Sequence, residues 1–311
     1  MRWPIRVRGA HTDPADAPGD DDLFDEAFQK RLEYLALVSR RVFRGRTRAE
    51  RRSRKTGTGV EFADYRRYAA GDDYRQIDWN VYGRIGRLML RLYEEEEDLS
   101  VYILLDCSGS MAFGRPPKLR YGKQLAAALA YVALNNLDRV SITALRDGSA
   151  ERLAPTRGRN RIFTVFEFLR PLQADGGTHL ADAISTFAAQ NKRRGVAILI
   201  SDLYDPLGFE EPINALRFAR FETHILRLVS PDEAEPNLHG ELELVDSETG
   251  LTRQVTVTPA LLARYRAAQA ERDQRLEAFC GEKQVGLSTL DISVPPEEAI
   301  LNVLRHGGLL A

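Results

Sequence analysis

The chain has 311 residues, 43% of them hydrophobic and 29% charged, with a formal net charge of −1. That length and balance suit one large or two modest globular domains with a full apolar core, and supply no global field toward nucleic acid or a membrane. Two cysteines, Cys107 and Cys280, are too few for a disulfide framework and fit a reducing compartment.

No apolar run approaches the roughly 20 residues that span a bilayer. Residues 1–22 carry basic side chains without an apolar segment behind them, so they do not read as a secretory signal, and a cytoplasmic location is expected. The Pro, Gly and Asp content of 12–22 predicts a disordered tail over 1–22. Residues 23–43 have helical spacing, with Phe24, Phe28, Leu32, Leu35 and Leu37 among the apolar positions. Residues 40–55 hold nine Lys/Arg against one acid, Glu50. A solvated basic loop is expected there, with contact to nucleic acid or an acidic partner as the alternative; only Phe43 interleaves an aromatic for stacking. Residues 65–91 are dense in aromatics, acids and arginines, and Glu94, Glu95, Glu96, Glu97 and Asp98 follow.

From Val101 the rhythm becomes strands alternating with helices. The run 101–105 is apolar throughout, as in a parallel strand buried on both faces. Helices are predicted over 118–137, 161–169, 180–190 and 210–219, and strands over 140–145, 196–201 and 223–229. Residues 241–246 and 252–258 alternate around Glu248, Thr249 and Gly250, a hairpin pattern. Pro259 opens a helix with Thr258 as its cap and with Leu262, Tyr265, Leu276 and Phe279 on one face. A strand over 287–292 and a helix over 295–304 close the chain. This alternation predicts an α/β, doubly wound, mostly parallel sheet. The expected organisation is a tail over 1–22, an N-terminal region over 23–97, and an α/β domain over 98–311 with a hairpin insertion near 241–258.

Ligands of open parallel sheets gather outside the carboxyl ends of the strands. The loop after the first strong strand reads Asp106-Cys107-Ser108-Gly109-Ser110-Met111. Its alternate positions offer one carboxylate and two hydroxyls, the hard oxygen donors that Mg²⁺ prefers. Gly176-Gly177-Thr178 adds a hydroxyl at a helix start, and Ser201-Asp202 adds a carboxylate directly after a strand. Taken singly, each is an ordinary helix cap or turn former. Five on one rim point to a cation, with Asp106 expected on its solvent-facing side. Cys107 reads as a small buried filler, and His179 as a helix-start residue without the companion ligands of a zinc site.

The Asp-x-Ser-x-Ser loop, the Thr of a second loop and the Asp of a third resemble the von Willebrand factor A family and its metal-ion-dependent adhesion site. All five positions match without substitution: Asp106, Ser108, Ser110, Thr178 and Asp202. The resemblance implies one divalent cation, Mg²⁺ with Mn²⁺ or Ca²⁺ as alternatives. It also implies direct ligation by the hydroxyls, aspartate acting through water, and a shell completed by a partner's Glu or Asp.

A second signature runs Gly59-Val60-Glu61-Phe62-Ala63-Asp64-Tyr65-Arg66-Arg67-Tyr68, then Gly71-Asp72-Asp73-Tyr74-Arg75-Gln76-Ile77-Asp78-Trp79. With Arg84 and the acidic run it resembles the bacterial domain-of-unknown-function 58 family, whose members carry such a block before an A-type domain. That resemblance implies association with a MoxR-type AAA+ ATPase. Interleaved Asp, Arg and aromatics suit a paired structural network; a partner surface, or a second metal on Asp72, Asp73 and Asp78, are the alternatives.

The expected function is therefore a metal-dependent adaptor that captures a partner carboxylate. A metal-assisted phosphohydrolase using the same groups is the alternative. The inferred shell has three neutral hydroxyls against two carboxylates, which leaves a cation electrophilic toward an incoming carboxylate. No Asp-x-Asp pair opens the loop, no Gly-x-Ser-x-Gly elbow surrounds either serine, and no nucleotide-cradling Gly-x-x-x-x-Gly-Lys-Ser/Thr loop exists.

Overall fold

The structure, a computed structural model, describes residues 5–8, 23–50, 56–57, 61–94, 99–146, 149–177, 179–236, 238–246 and 252–306. The chain forms two compact units, residues 1–40 with 99–310, and residues 41–98. In chain order the larger unit opens with β1 (Ile5–Arg8) and α1 (Glu26–Glu50), the latter continuing past residue 40 into the smaller unit.

The smaller unit then contains β2 (Thr56–Gly57), β3 (Glu61–Arg67), α2 (Trp79–Ile85) and β4 (Met89–Glu94). β4 lies between β2 and β3 and is antiparallel to both. Its organising residue is buried Asp78. That carboxylate caps α2 by accepting from Asn80 N at 2.9 Å and Val81 N at 3.2 Å, while Tyr65 donates to it at 2.8 Å and Arg91 Nε at 2.7 Å. The Arg91 guanidinium, then the Tyr65 hydroxyl, hold its carboxyl well below the usual range. Asp73 accepts from Arg75 N at 3.0 Å to start the 3₁₀ turn Tyr74–Gln76, and Asp72 pairs with Arg66 at 2.7 Å. Each of the three aspartates thus has a structural partner. Among the described residues no group of three or more His, Cys, Asp or Glu is placed to hold a metal.

The larger unit continues with β5 (Ser100–Asp106), α3 (Lys118–Asn135), β6 (Arg139–Arg146), β7 (Ser149–Thr156), α4 (Ile162–Leu169), α5 (Leu180–Gln190), β8 (Val196–Ser201) and α6 (Glu210–Phe218). There follow β9 (Glu222–Val229), α7 (Pro231–Ala234), β10 (Gly240–Asp246), β11 (Thr252–Val257), α8 (Pro259–Lys283), β12 (Gly286–Asp291) and α9 (Pro296–His306). The central sheet runs β12-β9-β8-β5-β6-β7, parallel except for β7, which is antiparallel to β6. The expected doubly wound, mostly parallel sheet is the fold.

β5 and β8 are buried along their whole length. Their side chains alternate between faces, and both faces are covered. Tyr102, Leu104, Ala197 and Leu199 pack with Ile184 and Phe187 of α5, Leu216 of α6 and Leu276 of α8. On the other face α3 lies so close that a Cβ on Gly122 would come within 2.9 Å of Leu105 Cδ1.

Several elements depart from the sequence expectation. β7 was not anticipated: its sequence is polar and contains Pro155, which an edge strand tolerates because one side needs no ladder hydrogen bond. Ile5–Arg8 is a strand rather than disordered tail, pairing with β10 so that Arg8 is in register with Glu243 and Val7 with Leu244. Together β1, β10 and β11 form a separate antiparallel sheet, and the expected hairpin is its β10–β11 pair. The rest of the expected tail, residues 9–22, lies outside the described residues, as do hairpin-turn residues Glu248, Thr249 and Gly250 and acidic-run residues 95–98.

Residues 23–40 belong to the larger unit and not to a separate N-terminal region. Phe24 stacks on Phe166 with ring centroids 4.4 Å apart, and Gln124 donates to Leu23 O. Leu37, expected among the apolar positions, is exposed. Of the basic loop expected over 40–55, residues 40–50 instead continue α1, since arginine is a good helix former and no proline interrupts the run, and residues 51–55 lie outside the described residues. No helix among the described residues is long and apolar enough to cross a membrane.

Candidate metal centre

The chain builds β5 first, moves outward to β6 and β7, then returns to place β8 on the other side of β5. The β5–β8 boundary is therefore the topological switch point, where the loops leaving two neighbouring strands diverge. Asp106 is the last residue of β5, and Asp202 directly follows β8.

The β5 loop turns at once into a 3₁₀ turn, Gly109–Ala112. Asp106 Oδ1 accepts from Ser108 N at 2.9 Å, which fixes the turn, and Ser201 Oγ donates to Asp106 Oδ2 at 2.6 Å across the switch point. The Ser108 and Ser110 hydroxyls lie 3.0 Å apart, and the Ser110 hydroxyl helps to hold the Asp202 carboxyl low. Gly109 N donates to Gly176 O and Asp175 N to Cys107 O, each at 3.0 Å, so the loop that carries Thr178 is stitched to the Asp106 loop. Thr178 itself lies outside the described residues. Asp106, Ser108 and Ser110 thus form one hydrogen-bonded cluster, with the Asp202 carboxylate near enough to act on Asp106 and Ser110.

The expectation of a solvent-facing Asp106 is corrected by its surroundings. Asp106 and Ser108 are 1% exposed, and Ser110, Asp202 and Lys118 are 0% exposed. The stitched loops fold over the strand ends and enclose the donors. Burial has electrostatic consequences. Desolvation, and then the neighbouring Asp202, push the Asp106 carboxyl well above the ordinary range. Burial also drives Asp202 upward, but the Lys118 charge and hydrogen bond outweigh it and hold that carboxyl low. Tyr204 N donates to Asp202 Oδ1 at 3.0 Å and Lys118 Nζ to Asp202 Oδ2 at 2.5 Å. Lys118 Nζ also donates to Glu233 Oε1 at 2.6 Å.

Lys118, Ser201 and Glu233 escaped the sequence reading. Ser201 was visible only as the neighbour of Asp202. The available signal for Lys118 was a lysine opening an otherwise Ala- and Leu-rich helix. Glu233 lies far along the chain and carried none. Cys107 is buried as expected, its thiol pushed up to about 12 by burial and Asp106, which leaves it unreactive. His179 occupies the N-cap position of α5 and is exposed.

These residues fit a hard divalent cation. The donors are carboxylate and hydroxyl oxygens. Asp106 is a buried carboxylate that receives two hydrogen bonds but, among the described residues, no ion pair, and such a charge wants a cation beside it. Among the described residues no group of three or more acidic, His or Cys side chains is gathered there, as a carboxylate-rich two-metal site would need.

A family model described as "Protein of unknown function DUF58" matches residues 64–276, from β3 through most of α8. The chain belongs to the DUF58 family. This DUF58 chain is 29% identical over 276 residues to uncharacterized proteins of Mycobacterium bovis and Mycobacterium tuberculosis, covering 86% of this chain and 87% of each relative. Among solved structures it is similar to the conserved hypothetical protein BatB from Bacteroides thetaiotaomicron, at 17% identity and a TM-score of 0.41, over 67% of this chain and 98% of that one. It is also similar to the VWA domain of SpRpn10, at 13% identity and a TM-score of 0.40, over 69% of this chain and all of that one. These likenesses are distant, and the strand order above carries the fold on its own.

Proposed function

We propose that this DUF58 protein is a protein-binding module that captures a partner's carboxylate on a divalent cation, Mg²⁺ in the first instance. Asp106, Ser108, Ser110, Thr178 and Asp202 would hold the ion. The observation that carries the reading is the convergence, at the switch point of the sheet, of two hydroxyls and two buried carboxylates, one of which has no ion pair among the described residues. A bound cation would supply an electrophilic centre for an external carboxylate. Asp202 is already engaged at both oxygens, and Asp106 is held by Ser108 and Ser201. Neither is disposed as a free nucleophile or base, which favours binding over turnover.

The partner we propose is a MoxR-type AAA+ ATPase presenting a Glu or Asp at the contact, in the cytoplasm, a choice supported by the family resemblance. Co-purification with a candidate ATPase in Mg²⁺ and in EDTA tests it. Association should be lost in EDTA and weakened by Asp106→Ala, Thr178→Ala and Asp202→Ala. Equal association in EDTA and with Asp106→Ala would show that the cation is not the bridge.

A further inference from the structure

Lys118, the first residue of α3, buries its ammonium completely between two carboxylates, Asp202 after β8 and Glu233 of α7. The rings of Tyr204 and Phe113 stand 5.2 and 5.9 Å from it, which lowers the cost of burying the charge while adding none of their own. Glu233 is fixed from its other oxygen by Ser230 N at 3.2 Å. A buried ion triad is seldom worth more to stability than well-packed apolar residues of the same volume, so this one asks for a role beyond holding the fold.

Taken as one set, Asp106, Asp202, Glu233 and Lys118 carry a formal charge of −2 when all three acids are ionised. One divalent cation cancels that charge. We propose that Lys118, held by Glu233, is the charge-setting residue of the centre: it lets one divalent cation balance this set of four groups and so keeps that cation receptive to an external carboxylate. This rests on the metal reading above. Without the ammonium, the cation-loaded set is left with an excess negative charge, which holds the ion more tightly and repels an incoming anion. Without the Glu233 charge the excess is positive, and the ion is held more weakly. Two substitutions a few ångströms apart therefore act with opposite signs.

The test is calorimetric titration of Mg²⁺ into the full chain, comparing wild type, Lys118→Met, Glu233→Gln and the double variant, each checked for folding by circular dichroism. Lys118→Met should bind Mg²⁺ at least tenfold more tightly and Glu233→Gln at least tenfold more weakly, well inside the roughly thousandfold or more that a unit charge about 4 Å from the ion would give at an effective dielectric near 20. The double variant, with its charges rebalanced, should return near wild type. If Lys118→Met does not fold, Glu233→Gln and the double variant still decide the matter. A wild type that binds Mg²⁺ and loses it with Asp106→Ala, yet binds as well with Glu233→Gln, overturns the role of Lys118 and leaves the metal reading standing. A wild type that binds no divalent cation overturns both.

Discussion

At the scale of single residues, the centre is governed by how buried charge is compensated. Asp106 and Asp202 leave neighbouring strands and are equally buried, yet among the described residues only Asp202 is ion-paired to an ammonium. Desolvation and Asp202 raise the Asp106 carboxyl, so between the ordinary carboxylate range and that raised value the folded chain binds more protons than the unfolded one. Metal-free stability should therefore fall as pH rises through that window. Mg²⁺, displacing the proton, should offset the fall most at its upper end. Asp106→Asn should flatten the slope, since the amide does not titrate; thermal melts in EDTA across pH check this, and an unchanged slope would place the titrating group elsewhere. Ser108→Ala and Ser110→Ala should each weaken Mg²⁺ binding less than Asp106→Ala does, because water replaces a neutral donor more readily than a charged one; equal losses would contradict this ordering.

The elements explain why the residues converge, and how far the sequence announced it. The apolar runs of β5 and β8 were legible because strands buried on both faces have no polar positions, and the Asp106 loop and Asp202 were legible because they terminate those runs. β7 and β1 were not: one is a polar edge strand and the other four alternating residues, and only pairing with β6 and β10 makes them strands. Lys118 and Glu233 were hidden because their meaning lies in a contact between positions 115 residues apart. Gly195, just ahead of β8, has a purely geometric role. A Cβ there would sit 2.1 Å from Ser100 O, a backbone atom of β5 that cannot step aside. Gly195→Ala should destabilise the chain by about 1–3 kcal/mol, the usual cost of overpacking; chemical denaturation measures it, and a neutral result would mean the β5–β8 approach is looser than described. In the smaller unit, Asp78→Ala and Arg91→Ala should each lower the melting temperature. Combined they should be less than additive, since both remove one ion pair. Full additivity would count against the network.

For the molecule as a whole, the doubly wound sheet gathers the donors where its strand order reverses, and a β-strand pairing near the chain start ties residues 5–8 to the hairpin of the same unit. Removing Asp106 takes away a buried charge that has no ion pair among the described residues, so Asp106→Ala should keep the fold while losing the ligand. Titration of Mg²⁺ into the metal-free full chain, followed by calorimetry, tests the central claim most directly. The account predicts one binding event per wild-type chain that disappears in folded Asp106→Ala. Absence of binding in the wild type, or the same affinity in the variant, would contradict it.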